Sequence, residues 1–394
     1  MRIRKEQILT FILILSLIAG SADTIWGYHP FIRYTMVSLV FAAEFIIALQ
    51  RNQRFSRIII LIYSILAVLI LLSMTFNMDF SGITMFFYLA VATLTIQAID
   101  FDTFIKQYEF IIFCLCLFSL IGVTLYYLAQ PLLFGFPDFE NGVIPLKNLF
   151  FTVVPMGYTP ATFRNFGIFR EPGMFAIYIG IALLIQLYTK RPSFFHIILY
   201  LVTLITTRST TGFIAVTVLL VFWTILNTKF CTKIVVIVLS LTGGLAILLY
   251  RYDLIQEILI KFNTEGVSSD SINSRLSSIA AGGVIGITHP FWGAGALNSQ
   301  ILYGELAPRF WGGSSWTNMI TYLFASFGLF FITLILLGLF KTGLKLSGGQ
   351  KRTAVCIVVY ICLLLCGQIM TYSSIFYILV MYGWQNYFSS RRCV

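Results

Sequence analysis

Apolar residues in this chain fall in runs of close to twenty, separated by short polar or basic connections. A run of about 20 is what an α-helix needs to cross a hydrocarbon layer roughly 30 Å thick. Twelve such segments are read along the sequence: 7–22, 31–49, 57–77, 80–98, 108–130, 171–188, 193–207, 210–228, 233–251, 316–340, 353–370 and 372–388. Arg2, Arg4 and Lys5 precede the first, as in a signal peptide. No small-residue cleavage site leading into a soluble domain follows, so the segment is read as a retained span. The pattern predicts an all-α polytopic membrane protein of about 12 transmembrane helices, a single membrane-embedded domain over residues 1–394.

Composition agrees. The chain is 59% apolar and only 10% charged, against about 25% charged in soluble proteins. A large soluble core, a coiled coil, a collagen-like chain and a disordered chain are all excluded. A net charge of +11 would point to nucleic acid in a soluble protein; in a membrane protein it reports sidedness instead, and nucleic acid is not an expected partner. With the N-terminus in the cytoplasm, seventeen of the twenty-six Lys and Arg residues fall on that side, every even-numbered connection is basic, and both termini are cytoplasmic. The two long connections, 131–170 and 252–315, then lie on the outer side. Connections longer than about 15 residues are usually functional. Of the seven cysteines, Cys114, Cys116, Cys356, Cys362 and Cys366 sit inside apolar runs and read as small buried hydrophobes, with no disulfide framework.

Arginines gathered at the outer ends of spans carry the candidate chemistry, because charge at membrane depth is costly and tends to be functional. The first group is Arg164-Asn165-Phe166-Gly167-Ile168-Phe169-Arg170-Glu171-Pro172-Gly173. Pro172 suits the first position of a helix, which places Arg170 and Glu171 at a helix N-terminus, where the dipole and unpaired N–H groups favour an anion. With Arg164 this makes a cradle for a diphosphate, since guanidinium groups bind phosphate oxygens in pairs. Alternatively, Arg170 and Glu171 form a structural pair. The second group, Thr206-Thr207-Arg208-Ser209-Thr210-Thr211-Gly212, either offers hydroxyls to a sugar or phosphate or is a turn that satisfies its own backbone. The third comprises Arg275, in an amphipathic stretch of the second long connection, and His289, the only histidine in a long outer connection. His289 suits proton transfer near neutral pH; His29 and His196, at span edges, carry no expected function.

No phosphate-binding Walker loop or dinucleotide fingerprint is present, three scattered histidines do not make a zinc site, and no compact acidic cluster suits a magnesium diphosphate. Arginine must therefore supply the counter-charge to a bound diphosphate. A reaction independent of metal and cofactor is the expectation.

These motifs resemble those of the O-antigen polymerase (Wzy) and O-antigen ligase superfamily of bacterial glycan-assembly enzymes. The R-x-x-G-x-x-x-E-P pattern is present as Arg164, Gly167, Glu171 and Pro172; Thr207-Arg208-Ser209 looks like the family's short serine/arginine turn. Arg275 precedes a His-Pro-x-x-Gly-x-Gly turn (His289, Pro290, Gly293, Gly295), similar to the large periplasmic loop, and Asn318 with Gly328 resembles the ligases' His-Asn-x9-Gly pattern. Thr317 stands where ligases carry histidine, which argues against a histidine base and favours the polymerase branch.

The resemblance implies a GT-C-like fold in the bacterial inner membrane with its active site facing the periplasm. The implied reaction moves a growing glycan from one undecaprenyl diphosphate carrier onto a new carrier-linked repeat unit, with a chain-length regulator as a protein partner. It assigns Arg164, Arg170 and Arg275 to the diphosphate, Arg208 and Ser209 to diphosphate or sugar, and Glu171 as base or orienter. His289, Thr317 and Asn318 are further candidates for substrate contact. The alternatives are a ligase donating to lipid A core and a flippase for lipid-linked oligosaccharide. A flippase would carry charge deep in a central cavity, whereas here the arginines collect on one face.

Overall fold

A computed structural model describes residues 2–50, 56–140, 144–158, 163–189, 192–227, 270–313 and 315–385. Its helices are α1 (Arg2–Ala19), α2 (Pro30–Gln50), α3 (Arg57–Phe76), α4 (Ile83–Ala98), α5 (Phe101–Leu128), the single turn α6 (Gln130–Leu133), α7 (Pro172–Tyr188), α8 (Phe194–Thr207), α9 (Thr210–Asn227), α10 (Asp270–Thr288), α11 (Ala296–Leu306), α12 (Met319–Leu346), α13 (Lys351–Leu365) and α14 (Ser374–Trp384). Five segments are long and apolar enough to cross a membrane: α2, α3, α4 with the turn before it, α5 and α12. Helices α7, α8, α9 and α14 are apolar but shorter. The expected span 233–251 lies outside the described residues. Helix α5 begins well ahead of the expected 108 because Asp100 caps it, its carboxylate accepting the Thr103 N–H at 2.8 Å.

Burial sorts the helices into a centre and a sheath. Every residue of α7 from Met174 to Leu187 is buried, and so is every residue of α14. A helix apolar on all faces belongs inside. Around them, α2, α3 and α5 expose Leu39, Phe45, Leu49, Leu61, Leu71, Phe110 and Ile121, an apolar surface too broad for water and suited to lipid. Tyrosines pin the sheath to the centre: Tyr108 of α5 donates to the Tyr178 carbonyl at 3.1 Å and Tyr360 of α13 to the Gly180 carbonyl at 2.9 Å. Gly180 is required there, since a Cβ would lie 2.7 Å from the Tyr360 hydroxyl.

Helix α12 is broken at Gly328, whose φ of 81° and ψ of −178° lie outside the helical region. The break orphans backbone groups, and the turn 289–295 satisfies them. Ala294 N–H donates to the Ala325 carbonyl at 2.7 Å, Gly295 N–H to the Ser326 carbonyl at 3.2 Å, and Leu329 N–H to the Pro290 carbonyl at 2.7 Å. The approach leaves no room for side chains; a Cβ on Gly293 would sit 2.2 Å from the Ser326 carbonyl carbon. Asp79 locks the far side of this turn, accepting the Leu297 N–H at 2.6 Å and the Ser81 hydroxyl at 2.6 Å. Burial pushes its carboxyl pKa up, but these bonds and those from the Ser81 and Asn298 N–H groups hold it below the ordinary range. The glycine motifs at 293, 295 and 328 thus have a structural account as one interlock between α10–α11 and α12.

The first long connection holds a small antiparallel sheet, which the all-helical expectation did not include. Its strands are β1 (Asp138–Glu140), β2 (Pro145–Asn148) and β3 (Val153–Pro155), in that order. Lys147 pairs with Asp138 at 2.8 Å, and Leu146 and Val153 face inward with Phe166 and Ile25. The sheet ties the segment ahead of α7 to the bundle, with Val153 N–H donating to the Gly167 carbonyl.

Candidate functional site

The segment 164–173 is held by backbone as much as by side chains. Ile25 N–H donates to the Ile168 carbonyl at 2.9 Å, Arg170 N–H to the Asp23 carbonyl at 2.8 Å, and Thr24 pairs with Phe169 as a β-bridge. Buried Asn165 ties it to the other side: its side-chain amide donates to Ser119 at 3.0 Å and Thr206 at 2.9 Å, while its N–H reaches the Thr206 carbonyl. Gly167, at φ 56°, lies against the Phe175 ring, where a Cβ would come within 2.7 Å. Pro172 opens α7 and Glu171 is its N-cap, but the Glu171 side chain makes no cap bond. Its carboxylate instead accepts from the Gln368 amide at 2.5 Å.

These constraints place the motif around a cavity of about 440 Å³, within the ordinary range for a small-ligand site. Arg164, Arg170 and Arg275 line it with Glu171, Gly173, Ser209 and Thr211; Tyr158, Phe166 and Leu364 supply apolar wall. Among the described lining residues, three arginines stand against one carboxylate. Arg275 enters from α10, and its pKa is lowered by burial and by the Arg164 charge. Arg164 donates to the Thr207 carbonyl at 3.3 Å. The Arg170 guanidinium lies 5.0 Å over the Tyr28 ring, a cation–π contact that orients it. Arg164 and Arg275 repel one another across a partly desolvated space, which favours an anion between them.

Asp23 stands behind Arg170, buried, with the Ser21 hydroxyl donating to its carboxylate at 2.8 Å. Burial pushes its pKa up to about 7, against the pull of Ser21, Arg170 and Arg33. This acid behind the cradle is therefore largely neutral at mildly acid pH, and then draws less on the Arg170 charge.

Five of the residues singled out from sequence, Arg164, Arg170, Glu171, Ser209 and Arg275, meet at this cavity. Four others do not line it. Arg208 is the left-handed C-cap residue of α8, with φ 50° and ψ 32°. His289 is exposed beyond the C-terminal end of α10, about 20 Å along the helix from Arg275 at 1.5 Å per residue. Thr317 joins α10 to α12, its N–H donating to Ser278 at 2.9 Å. Asn318 is the N-cap of α12, accepting the Thr321 N–H at 3.1 Å and donating to the Cys366 sulfur at 3.3 Å. Cys366 is flanked in sequence by the cavity-lining Leu364 and Gly367 but does not line the cavity itself.

The hydroxyl-rich turn divides. Thr206 and Thr207 spend their hydroxyls on the Thr203 and Leu204 carbonyls at 2.6 and 2.7 Å, which is the self-satisfying reading of the turn. The Thr211 hydroxyl is buried against the cavity wall with no hydrogen-bond partner. Asp23, Gln368 and Tyr158 lie at or behind this cavity but in none of the sequence motifs. Asp23 carried a signal, being the one acidic residue between the first two spans; Gln368 and Tyr158 carried none.

Neither a protein-family model nor a curated protein matches this chain.

Proposed function

We propose that the protein is a membrane glycosyltransferase of the polymerase type. It transfers a growing glycan from undecaprenyl diphosphate to the non-reducing end of a new lipid-linked repeat unit, at the periplasmic face of a bacterial inner membrane that the chain crosses about twelve times. The observation that carries this reading is the meeting of Arg164, Arg170 and Arg275 around one cavity at the N-terminus of α7.

In the proposed reaction the diphosphate lies against the arginines and the α7 N-terminus. Charge-assisted hydrogen bonds of this kind contribute about 1.5–3 kcal/mol each. The acceptor hydroxyl attacks the anomeric carbon as its bond to the diphosphate oxygen breaks. Undecaprenyl diphosphate leaves with the electron pair, and the arginines hold the charge that develops on it. Glu171 takes the proton lost by the hydroxyl, with Gln368 keeping its carboxylate turned along the cavity wall. Arginine supplies the counter-charge, so no divalent metal is called for. The cavity and its apolar margin hold one sugar and the diphosphate.

The test is an assay on purified protein with carrier-linked repeat units in EDTA. A ladder of repeat lengths that collapses in Arg275→Ala supports a polymerase. Activity restored only by Mg²⁺ overturns the arginine mechanism. Movement of the lipid across a vesicle bilayer with no ladder overturns the enzyme reading in favour of a flippase.

A further inference from the structure

A second cavity, of about 410 Å³, lies at the opposite end of α14 from the arginine site, lined by Ile58, Lys341, Lys345, Gly349, Trp384 and Gln385 among others. Gly367 and Gln368, which line the arginine cavity, lead into α14, and Trp384 ends it. The two cavities are therefore separated along a helix of 11 residues. On the sidedness set by the basic connections, the second opens toward the cytoplasmic leaflet.

Its chemistry is that of an anion site at a membrane interface. Lys341 and Lys345 are one turn apart on α12 and face the same neighbours on α14. Among the described residues no carboxylate lines the cavity, although Asp102 attracts Lys345 from outside it. The Lys341 ammonium rests 3.7 Å over the Trp384 ring and makes no hydrogen bond among the described residues. Lys345 donates to the Tyr382 carbonyl at 2.6 Å, which caps the end of α14 and leaves its other two N–H groups for a ligand. Ile58 and Leu344 give the cavity an apolar flank. Like charges at this spacing destabilise a helix, so an anion that bridges them is favoured. Basic cavities between transmembrane helices, with an indole at headgroup depth, suit anionic phospholipid headgroups.

We infer that this cavity binds the phosphate of an anionic phospholipid of the cytoplasmic leaflet, with the two ammonium groups on the phosphate and the first apolar carbons against Ile58 and Leu344. The lipid braces the seam where α12 and α14 approach most closely. There Thr342 donates to the Leu379 carbonyl at 2.5 Å, and a side chain on Gly338 or Gly383 would collide with the other helix. The inference rests on the membrane reading and is independent of the reaction proposed above.

The test is native mass spectrometry of the full chain released from detergent, with phosphatidylglycerol and phosphatidylcholine of matched acyl chains. Phosphatidylglycerol is expected to be retained preferentially. Lys341→Ala should weaken that retention about fivefold, as expected for one lysine near a charged headgroup, and Lys341→Glu should abolish the preference. Lys341 makes no hydrogen bond among the described residues, and an unchanged melting temperature in lipid-free detergent would verify that the variants fold. Equal retention of the two lipids, or a preference that survives Lys341→Glu, would overturn the inference. Displacement of phosphatidylglycerol by millimolar glycerol phosphate would overturn the lipid assignment in favour of a soluble phosphate ligand.

Discussion

The two ends of helix α7 contrast in how they treat polar side chains. At its start, Glu171 and Gly173 border a cavity with three arginines, and the charges there are mostly alike. Near its end, Gln186 joins Glu109 of α5 and His196 and Tyr200 of α8, and the groups there are complementary. One Glu109 oxygen lies 2.7 Å from the His196 ring nitrogen, 2.5 Å from the Tyr200 hydroxyl and 3.1 Å from the Gln186 amide. Phe113 stacks on the His196 ring at 4.2 Å and closes the network. The second cluster spends its polar atoms internally, the usual solution for polar groups between packed helices. The first arranges them around an open volume, which is intelligible as recognition. Charge inside a membrane protein is thus not functional by itself; what distinguishes this site is that charges mostly of one sign line an open volume.

The contrast is broken most directly by exchanging the two kinds of loss. Arg275→Ala is expected to lower glycan transfer by about 10²–10³-fold, the usual cost of removing one donor to transition-state charge. Its stability should stay within about 0.5 kcal/mol, because relief of repulsion from Arg164 offsets lost packing. Steady-state ladder kinetics and thermal unfolding in detergent check the two halves. Glu109→Ala should do the opposite. It leaves His196, Tyr200 and Gln186 without their acceptor and costs about 2 kcal/mol, below the full penalty for a buried pair because both partners are partly exposed. The transfer rate per folded molecule should be retained.

Gly293→Ala sharpens the comparison by losing both properties at once. A residue at φ 70° whose Cβ collides with the Ser326 carbonyl forces the turn off the break in α12. The expected cost is about 2 kcal/mol or more, and α10, which carries Arg275, loses its anchor. Parallel melting and ladder assays should fall together.

The smallest expected effect is on pH. With its pKa at about 7, Asp23 is neutral at pH 6 and largely ionised at pH 8, where it draws on the Arg170 charge. The KM for the lipid-linked donor should therefore rise several-fold between pH 6 and 8, and Asp23→Asn should flatten that rise. The stability linkage has the matching sign. The folded carboxyl binds its proton more tightly than the unfolded one, whose pKa is near 3.8. The Asp23 contribution is thus fully present below pH 3.8, declines as pH rises toward 7, and is flat above. Urea unfolding of the variant at several pH values reads it out.

Much of this was legible in the sequence, for definite reasons. Apolar runs near twenty residues place most helices because a hydrocarbon layer fixes their length. The start of α7 follows from Pro172 and Glu171, since proline suits the first helical position. Arg164, Arg170 and Arg275 stand out because charge is sparse in this chain. What stayed hidden depends on the third dimension. Gln368 lies almost two hundred residues from the Glu171 it holds, and no local pattern marks it. Thr206 and Thr207 look like ligands for a sugar until their carbonyl partners one turn back are seen. Gly293, Gly295 and Gly328 are conspicuous as a motif, but only the break in α12 shows that they satisfy backbone groups. His289 and Arg208 lie away from the arginine cavity, one past the far end of α10 and the other in a left-handed turn.

The central claim is that the arginine cavity holds a lipid diphosphate. It is tested most directly by measuring the binding of undecaprenyl diphosphate and undecaprenyl monophosphate to the wild type and to an Arg164→Ala, Arg275→Ala double variant. The diphosphate is expected to bind the wild type about tenfold or more tighter than the monophosphate, a difference of about 1.4 kcal/mol, and the double variant to lose this preference. Equal binding of the two lipids, or a preference that survives both substitutions, would contradict it.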